Sequence, residues 1–420
     1  MTDAGVVIVG TGQGGFQVAA SLRKEGYEGP VTLAGEEPGL PYQRPPLSKE
    51  YMTGEAGPAK VHLRPEAFYA KQGIDLQPGE RLERIDRAGR HVELASGRRL
   101  PYEHLVLALG ARPRPLPVPG GELDGVHVLR TLADAEVLRK CLDEADHVVV
   151  IGGGFIGLEF AAAARTRGVG VGVTVVEALD RPMARVVSPE ISRYYTERHE
   201  EAGIQVLLET GVEELEGLGG KVTAVRTADA RRLPADLVVV GVGVVPNTEP
   251  AEAARLVVDN GIVVDEHLTT SDPLISAIGD CAAYPSFHAG HRVRLESVQN
   301  AVDHGRCVAA RLAGRPARYT SVPWFWSDQH GCKLQIAGLT AGREQAMVRG
   351  DVEAGAFSVF SFHGDRLVGV ESVNRPADHM AARKLLAGEP AVTPEHAADP
   401  CFDLRAHAKR DRAPVAGAAE

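Results

Sequence analysis

The sequence predicts an α/β fold in which parallel sheets are flanked by helices and a smaller α+β domain follows. Short β-branched runs alternate with alanine-rich stretches in "VVIVG", "GGFQVAASLRKEG" and "VTLAGE". The same strand, helix, strand order returns in "HVVVIGGG", "FIGLEFAAAARTRG" and "VGVTVVEA". After about residue 322 no glycine fingerprint occurs, and strand-like stretches such as "KLQIAGL" precede a helical "MAARKLLAG". The chain therefore contains a duplicated Rossmann-type unit and a separate C-terminal domain.

The composition is that of a globular protein with more than one domain. The chain has 420 residues, 44% of them hydrophobic, and its net charge of −10 argues against nucleic acid or an anionic membrane as a main partner. We expect a cytoplasmic protein, because no apolar run is long enough to cross a membrane and no basic segment precedes the first strand. The 5 cysteines lack CxxC or metal-type spacing, which predicts no disulfide, no metal site and no dithiol relay.

Proline-rich stretches mark the expected domain boundaries. The strand-like "EHLVLALG" leads into "ARPRPLPVPGG", whose prolines prevent regular structure, and "ADLVVVGVGVVPNTE" forms the return. The second Rossmann-type unit is therefore expected to be inserted into the first. The predicted domains are a first nucleotide-binding domain of residues 1–111 and 246–321, a second of residues 112–245, and a C-terminal domain of residues 322–420.

The first unit carries a complete dinucleotide-binding fingerprint. Gly10, Gly12 and Gly15 lie between a strand and a helix, with Gly14 in the same turn, and Glu36 ends the next strand roughly 20 residues later. Glycines allow pyrophosphate to approach a helix N-terminus, and the acidic side chain accepts hydrogen bonds from the adenosine ribose. A bare glycine pattern is also typical of simple packing, but the flanking strands and the acid favour a dinucleotide site.

The second unit repeats the fingerprint and its following acid with these residues: Gly152, Gly154, Gly157 and Glu177. Two fingerprints predict two dinucleotides, and hydride transfer from a nicotinamide to a flavin on the other domain fits this arrangement best. Glu177 would repel a 2′-phosphate and so favours NADH over NADPH, although the nearby Arg181 and Arg185 weaken this argument. Gly243, in the return segment, is a further candidate for cofactor binding.

Further candidate residues lie where strands end. The apolar strand in "TTSDPLISAIGDCA" ends at Gly279 and Asp280, which predicts a second anchor for the flavin nucleotide, with a helix cap as the alternative. The loop "LPYQRPPLSKEY" delivers Lys49 to a fixed place because two prolines stiffen it, whereas a solvated lysine is the alternative. Glu159 either pairs with Lys49 across a domain interface or is a helix-terminus charge.

The ordered motifs resemble the FAD-dependent ferredoxin reductases of bacterial oxygenase systems. The matching segments run from the first fingerprint through "LPYQRPPLSK", "LVLALGARPR", "VVVIGGGFIGLE" and "ESVQNA" to "PWFWSDQ", and the resemblance extends to about Leu404. It implies a glutathione-reductase-like fold with FAD, NAD and C-terminal domains. It also implies that NADH reduces FAD, which passes electrons singly to a [2Fe–2S] ferredoxin serving a cytochrome P450 or a ring-hydroxylating dioxygenase.

The resemblance implies roles for individual residues. It assigns contacts with FAD to the following positions: Glu36, Lys49, Leu82, Arg130, Asp280 and Val298. Lys49 and Glu159 are expected to pair beside the flavin N5, where hydride arrives. Arg64 and Arg306 match docking positions of relatives, and a local basic face suits an acidic ferredoxin. A departure from the family pattern is His304, where relatives often carry Gln. By the same resemblance we expect a monomer.

Both tryptophans lie in "VPWFWSDQHG", residues 322–331. Alternation along a strand places Trp324 and Trp326 on one face and Phe325 on the other. We expect Trp324 to belong to the core. The resemblance places Trp326 against the flavin ring on the side that faces the ferredoxin, where it would shield the flavin and shorten the electron path.

Alternative functions remain open on the same fold. A rubredoxin reductase or an NADH oxidase would share both fingerprints, but an oxidase normally needs a redox cysteine, for which Cys281 is the nearest candidate. The chain lacks the CxxxxC pair of disulfide reductases after the first fingerprint. A signalling flavoprotein like the apoptosis-inducing factors would bind DNA, which the net charge of −10 and the lack of a basic run disfavour.

Overall fold

The computed structural model describes residues 4–168, 170–388 and 391–409. The chain divides into two compact units. The first unit consists of three segments, Met1–Arg114, Arg130–Ala135 and Gly243–Thr320, and the second of three others, Pro115–Leu129, Glu136–Val242 and Ser321–Glu420. The segment after residue 321 therefore groups with the segment that carries the second fingerprint. The three-domain division with its boundaries stays a prediction.

The strands alternate between the two units along the chain. The first unit begins with β1 (Gly5–Val9), β2 (Val31–Gly35), β3 (Ile74–Pro78), β4 (Leu82–Asp86), β5 (His91–Leu94), β6 (Arg99–Leu107) and β7 (Ala111–Pro113). The second unit follows with β8 (Val126–His127), β9 (His147–Ile151), β10 (Gly172–Val176), β11 (Ile204–Leu207), β12 (Val212–Leu218), β13 (Lys221–Thr227), β14 (Arg232–Pro234) and β15 (Leu237–Val240). The chain returns to the first unit with β16 (Val244–Pro246), β17 (Ile262–Val263), β18 (Ile275–Ala277), β19 (Ala282–Pro285) and β20 (Arg292–Val293). The last strands are β21 (Trp324–Gln329), β22 (Cys332–Gly338), β23 (Gln345–Asp351), β24 (Ala356–His363) and β25 (Arg366–Val373).

The helices in chain order are α1 (Gln13–Lys24), α2 (Glu50–Thr53), α3 (Pro58–Val61), α4 (Glu66–Lys71), α5 (Leu132–Glu144), α6 (Phe155–Arg167), α7 (Pro189–Glu201), α8 (Glu249–Ala253), α9 (Val298–Leu312), α10 (Pro376–Ala387), α11 (Pro394–Ala398) and α12 (Leu404–His407). In addition, 3₁₀ turns occupy Pro45–Ser48 and Gly279–Cys281. None of the helices in the described part of the chain combines the length and the apolar character needed to span a lipid bilayer.

The first unit is built on a seven-stranded sheet with the order β3-β2-β1-β6-β5-β4, in which β18 also pairs with β6. The strands β1, β2, β3, β6 and β18 run parallel, with Val6 opposite Val31 on one side and His104 on the other. All of β1 is buried, as expected for a strand covered on both faces. The helices α1 and α9 pack together, and the carboxyl end of β1 leads into the first fingerprint.

The second unit contains a parallel sheet with the order β11-β10-β9-β15-β8 and an antiparallel sheet with the order β12-β13-β14. A five-stranded antiparallel sheet, β21-β22-β25-β24-β23, follows in the C-terminal segment, and α10 packs against it. Its core contains Phe360, Phe362 and Val370. The predicted strand, helix, strand repeats and the α+β character of the C-terminal segment are confirmed. They bring each fingerprint to the carboxyl end of a parallel strand, where α/β proteins bind their ligands.

Candidate functional site

The first fingerprint forms the turn between β1 and α1. Gly10 has a φ of 115°, and a Cβ there would lie 2.1 Å from the Ala108 carbonyl oxygen, so only glycine fits. A Cβ on Gly15 would lie 1.9 Å from the Gly10 carbonyl oxygen, so glycine allows the helix to pack on the turn. Gly12 is the N-cap of α1, offers no side-chain cap and faces open space. The N-terminus of this helix therefore fits a pyrophosphate group, which its free N–H groups and its dipole would stabilise.

Two further elements of the first unit meet at this turn. A Cβ on Gly14 would lie 3.2 Å from Ile278 Cδ1 and 3.6 Å from Ala301 Cβ, and a Cβ on Gly279 would lie 3.4 Å from the same Ala301 atom. The fingerprint turn, the end of β18 and the first turn of α9 therefore adjoin one another. Val298 is the first residue of α9, so three of the predicted cofactor-binding positions lie close together.

Asp280 and Arg130 form an ion pair beside the end of β18. Arg130 Nη2 donates a hydrogen bond of 3.0 Å to Asp280 Oδ2, and Arg294 Nη1 donates one of 3.0 Å to the Asp280 carbonyl oxygen. Arg130 Nε is buried and has no hydrogen-bond partner among the described residues. A buried cationic donor without a partner is costly unless a ligand accepts its hydrogen bond. Both residues are predicted cofactor contacts, and their ion pair fits a site for an anionic or polar cofactor group.

The loop after β2 is held by its own polar residues. Glu36 directly follows β2 and is exposed, so its carboxylate is accessible to a ribose. The next carboxylate, that of Glu37, accepts hydrogen bonds from the Tyr42 hydroxyl and from the Arg44 guanidinium. The Tyr42 hydroxyl also accepts a hydrogen bond of 2.9 Å from the Leu132 N–H. The loop is therefore fixed within the first unit.

Lys49 follows the 3₁₀ turn Pro45–Ser48 that the two prolines begin. Its Nζ donates a hydrogen bond of 3.2 Å to the Pro45 carbonyl oxygen, which orients the side chain back over the turn. Leu82 begins β4 and is buried in the core of the first unit. Because Lys49 and Glu159 belong to different units, their pairing stays a prediction.

The second fingerprint repeats the local geometry of the first between β9 and α6. A Cβ on Gly152 would lie 2.5 Å from the Gly241 carbonyl oxygen, and one on Gly157 would lie 2.2 Å from the Gly152 carbonyl oxygen. Gly154 is the N-cap of α6 and likewise provides no side-chain cap. The N-terminus of α6 is therefore a second position at which a pyrophosphate would be stabilised.

Glu177 closes the second fingerprint loop. Its Oε2 accepts a hydrogen bond of 2.7 Å from the Gly153 N–H, and its Oε1 accepts one of 2.8 Å from the Leu179 N–H. These bonds fix the carboxylate at the position where the fingerprint pattern requires an acid. Gly243 belongs to the first unit, where its carbonyl oxygen accepts a hydrogen bond of 2.9 Å from the Arg114 N–H.

Arg181 has a structural role in the loop that follows Glu177. Its guanidinium donates to the carbonyl oxygens of Ala184 and Val187 over 3.0 and 3.2 Å, and to the Ser192 hydroxyl over 3.2 Å. An arginine committed to these three acceptors is poorly placed to bind a 2′-phosphate. Arg185 is exposed.

Glu159 is 5% exposed on α6 and accepts a hydrogen bond of 2.6 Å from the Ser327 hydroxyl of β21. One helical turn earlier, the Phe155 ring lies 4.5 Å from the Phe325 ring. The first strand of the C-terminal sheet therefore packs directly on the helix of the second fingerprint.

The two tryptophans lie on the other face of β21. Their ring centroids are 5.5 Å apart, and both residues are half-buried. Trp324 contacts α10, where the Arg383 guanidinium lies 4.7 Å from its ring centroid and the His379 ring lies 5.6 Å away. Trp326 lies on the same face, and its proposed place beside a flavin stays a prediction.

The two arginines proposed for docking are exposed on the first unit. The Arg64 guanidinium lies 5.9 Å from the Phe16 ring centroid and 5.7 Å from the Phe68 ring centroid. Arg306 pairs with Asp303 one turn earlier on α9, over 3.3 Å. Both side chains remain accessible to a partner.

The structure reveals functional candidates that the motifs did not indicate. His304 is fully buried, and its Nδ1 accepts a hydrogen bond of 3.2 Å from the Gly279 N–H at the start of the turn that carries Asp280. In the "WSDQ" stretch of β21, Ser327 donates a hydrogen bond to Glu159, and Gln329 donates one to Ser327. The sequence shows histidine at position 304, where relatives often carry Gln. It does not show the contact between His304 and Gly279, because these two residues come from different elements.

Cys281 is buried completely, and burial raises the pKa of its thiol to about 11. The thiol lies 3.3 Å from the Ile278 carbonyl oxygen. Among the residues that the structure describes, the cysteines are free thiols. This environment keeps the Cys281 thiol protonated at neutral pH, which is the opposite of what a redox-active cysteine requires.

Comparisons with known proteins cover nearly the whole chain. Residues 4–305 match the model of the pyridine nucleotide-disulphide oxidoreductase family, and residues 324–408 match the reductase C-terminal family. Rhodocoxin reductase of Rhodococcus erythropolis is 54% identical over 95% of this chain and 93% of its own length.

Solved structures agree with these matches. The ferredoxin reductase of the CYP199A2 system from Rhodopseudomonas palustris has a TM-score of 0.94 and 52% identity, and the match covers 97% of this chain and 100% of that one. The reductase in the covalent putidaredoxin reductase–putidaredoxin complex has a TM-score of 0.92 and 43% identity, over 96% of this chain and 98% of that one. The expected glutathione-reductase-like fold is thereby confirmed. Proteins of this family use FAD and NAD(H). The chain belongs to the pyridine nucleotide-disulphide oxidoreductase family, in the branch that contains the ferredoxin reductases of oxygenase systems.

Proposed function

We propose that this enzyme is an NADH-dependent reductase of a [2Fe–2S] ferredoxin that serves a cytochrome P450 or a ring-hydroxylating dioxygenase. The observation that carries the proposal is the pair of uncapped helix N-termini, at Gly12 and Gly154, each preceded by a parallel strand. Bound FAD would supply the step from hydride transfer to single electrons. The reductases named above are similar over their full length, and one of them was solved as a complex with its putidaredoxin.

In the proposed FAD site, the first fingerprint would hold the pyrophosphate and Glu36 the adenosine ribose. Asp280 and Arg130 would hold further polar groups, because Arg130 Nε has no partner among the described residues. Lys49 and Glu159 are proposed to act beside the flavin ring. A cation fixed there would stabilise developing negative charge, and a carboxylate would orient that cation.

NADH is the proposed electron donor rather than NADPH. Glu177 is held in the fingerprint loop by two backbone N–H groups, and its charge would repel a 2′-phosphate. Arg181 is committed to the loop itself, which removes one of the two cations that weakened this inference. Steady-state kcat/KM values for both coenzymes test the proposal, and equal values would contradict it.

The proposed ferredoxin-docking face includes Arg64 and Arg306, and the proposed electron exit includes Trp326. Exposed cations steer an acidic partner and contribute more to the association rate than to the final affinity. We also propose that the enzyme is cytoplasmic and that it is a monomer, as the resemblance to the ferredoxin reductases implies. Light scattering at micromolar concentration tests the monomer.

The decisive experiment is reduction of cytochrome c by the purified yellow protein with NADH. We expect a fast rate only when a [2Fe–2S] ferredoxin is added, and a rate that falls with ionic strength. A fast rate with rubredoxin instead would identify a rubredoxin reductase. Rapid NADH consumption under air without either carrier would identify an oxidase, and a purified chain that binds no flavin would refute all three.

A further inference from the structure

A buried chain of hydrogen bonds in the second unit ends at Glu159. Ser327 Oγ donates to Glu159 Oε1 over 2.6 Å, and Gln329 Nε2 donates to Ser327 Oγ over 3.0 Å. Gln329 Oε1 lies 2.9 Å from His199 Nε2, and His199 Nδ1 lies 3.1 Å from His330 Nε2. Glu159, Ser327, Gln329 and His199 are at most 5% exposed. Four polar side chains are thus connected with little access to water, and the half-buried His330 lies at the far end of the chain.

The periodicity of the helix and the strand brings this chain together. Along β21, every second residue faces α6 and α7, so Phe325, Ser327 and Gln329 share that face. Along α6, Phe155 and Glu159 are four residues apart and share a face. The aromatic contact and the hydrogen bond therefore fix the strand to the helix at two successive points.

The hydrogen bonds of the chain have one direction. The Ser327 hydroxyl donates its single proton to Glu159 Oε1, so it accepts from the Gln329 amide nitrogen, which can only donate. The Gln329 oxygen then accepts from His199 Nε2–H, which leaves His199 Nδ1 as the acceptor for His330. Burial lowers the pKa of His199 to about 4, so this histidine is neutral at pH 7, as the direction requires.

We propose that Ser327, Gln329 and His199 are positioning residues that hold the Glu159 carboxylate in one orientation for the reaction. The inference rests on the proposed function, because that function places Glu159 beside the site of hydride transfer. A hydrogen bond to a carboxyl group is directional, and buried side chains that are hydrogen-bonded to one another fix one another's orientation. The same strand that carries Trp326 thereby sets the position of a residue on the second fingerprint helix.

Elsewhere in the protein, Ser358 provides a matched control for the loss of a buried serine hydroxyl. Ser358 lies in the same unit, is also fully buried, and donates a hydrogen bond of 3.1 Å to Asp378 Oδ2. Within the described residues, the hydrogen-bond partners of its side chain are Asp378 and Ser372, which are not members of the Glu159 chain. Ser327→Ala and Ser358→Ala therefore remove the same chemical group from similar surroundings. Ser327→Thr keeps the hydroxyl, so it tests whether the hydroxyl alone restores the rate of flavin reduction.

Anaerobic stopped-flow reduction of the bound flavin by NADH separates positioning from stability. We expect Ser327→Ala to reduce the rate about tenfold or more, and Ser327→Thr to restore it to within about threefold of wild type. Ser358→Ala should lower the thermal midpoint as much as Ser327→Ala does but leave the rate unchanged. In a Glu159→Gln background, Ser327→Ala should cause no further loss, because residues that act as a unit are not additive.

A second readout does not depend on activity. In ¹⁵N-histidine NMR spectra of the FAD-loaded protein, His199 should be neutral and carry its proton on Nε2 between pH 6 and 8, and Gln329→Leu should abolish this single tautomer. A His199 proton on Nδ1 in the wild type would overturn the proposal. So would equal flavin-reduction rates for Ser327→Ala and Ser358→Ala in an active enzyme. If NADH failed to reduce the flavin of the wild-type protein, the proposed function would be refuted. The positioning role of Ser327, Gln329 and His199 would then be refuted as well.

Discussion

The Arg130 guanidinium donates a hydrogen bond of 3.0 Å to the Asp280 carboxylate, although 150 residues separate them in the sequence. Both belong to the first unit, and Asp280 stands where β18 ends. The pair fixes the Arg130 guanidinium beside the first fingerprint. Among the described residues, the Nε of this guanidinium has no hydrogen-bond partner.

Asp280→Asn should weaken FAD binding. The amide keeps the size of the side chain but removes the charge that holds Arg130, so we expect the FAD dissociation constant to rise at least about tenfold, as for loss of a charge-assisted hydrogen bond. Flavin content at 450 nm and fluorescence titration of the apoprotein measure this change. Asp272→Asn is the control, because Asp272 pairs with Arg87 over 2.7 Å in the same unit but lies outside the proposed site. If Asp280→Asn and Asp272→Asn lost FAD affinity equally, the Arg130–Asp280 pair would only stabilise the fold and would have no specific role in FAD binding.

His304 should be required as a neutral hydrogen-bond acceptor for the Gly279 N–H. His304→Leu removes the acceptor, leaves a buried N–H unpaired and should cost about 1–3 kcal/mol of stability together with FAD affinity. His304→Gln offers a carbonyl oxygen for the same N–H and should retain flavin. Calorimetry and flavin titration measure both effects, and a His304→Leu protein with normal FAD affinity would contradict the role.

The stability of the protein should fall as the pH drops below 6.5. Burial lowers the pKa of His304 and His104 to about 3 and of His199 and His379 to about 4. Below pH 6.5 the unfolded chain binds protons that the folded chain excludes, so each of these residues makes the free energy of unfolding fall by up to about 1.4 kcal/mol per pH unit. Because folding lowers the pKa of each of these histidines, its contribution to the free energy of unfolding is present at neutral pH and is lost as the pH falls.

The thermal midpoint at pH 7.5 and at pH 5 measures this dependence. His304→Gln removes one of the excluded protons, so the midpoint of this variant should fall less than that of the wild type between the two pH values. The comparison cancels the contributions of the other titrating groups, which both proteins share. Identical falls would show that His304 is protonated in the folded protein or that its loss is compensated elsewhere.

Trp326→Ala should slow electron transfer to the ferredoxin more than flavin reduction by NADH. The expected reason is loss of aromatic contact between the proposed flavin and the ferredoxin, whereas the NADH side is unchanged. Stopped-flow measurement of each half-reaction separates the effects. Trp324→Phe is the control, since Trp324 packs on Arg383 and His379 of α10. Equal slowing of both half-reactions would assign Trp326 to packing.

Several features were determined by the sequence alone because they depend on neighbours along the chain. Glycine spacing, the strands on either side of it and the following acid predicted both fingerprints, and the structure forms both turns as expected. Alternation along "WFWSDQ" likewise predicted that Trp324 and Trp326 share a face. These patterns are local, since a turn needs a positive φ or a close backbone approach within a few residues.

Only the tertiary structure decided how distant elements meet. Arg130 and Asp280 could be proposed separately, but their direct contact depends on the return of the chain to the first unit. Ser327 and Gln329 lie far along the chain from the second fingerprint, and only the fold brings them to Glu159 and His199. A serine or glutamine within a strand has no local signature of its partner. The role of such a residue follows from packing, because a buried polar group must find its hydrogen bonds wherever the fold supplies them.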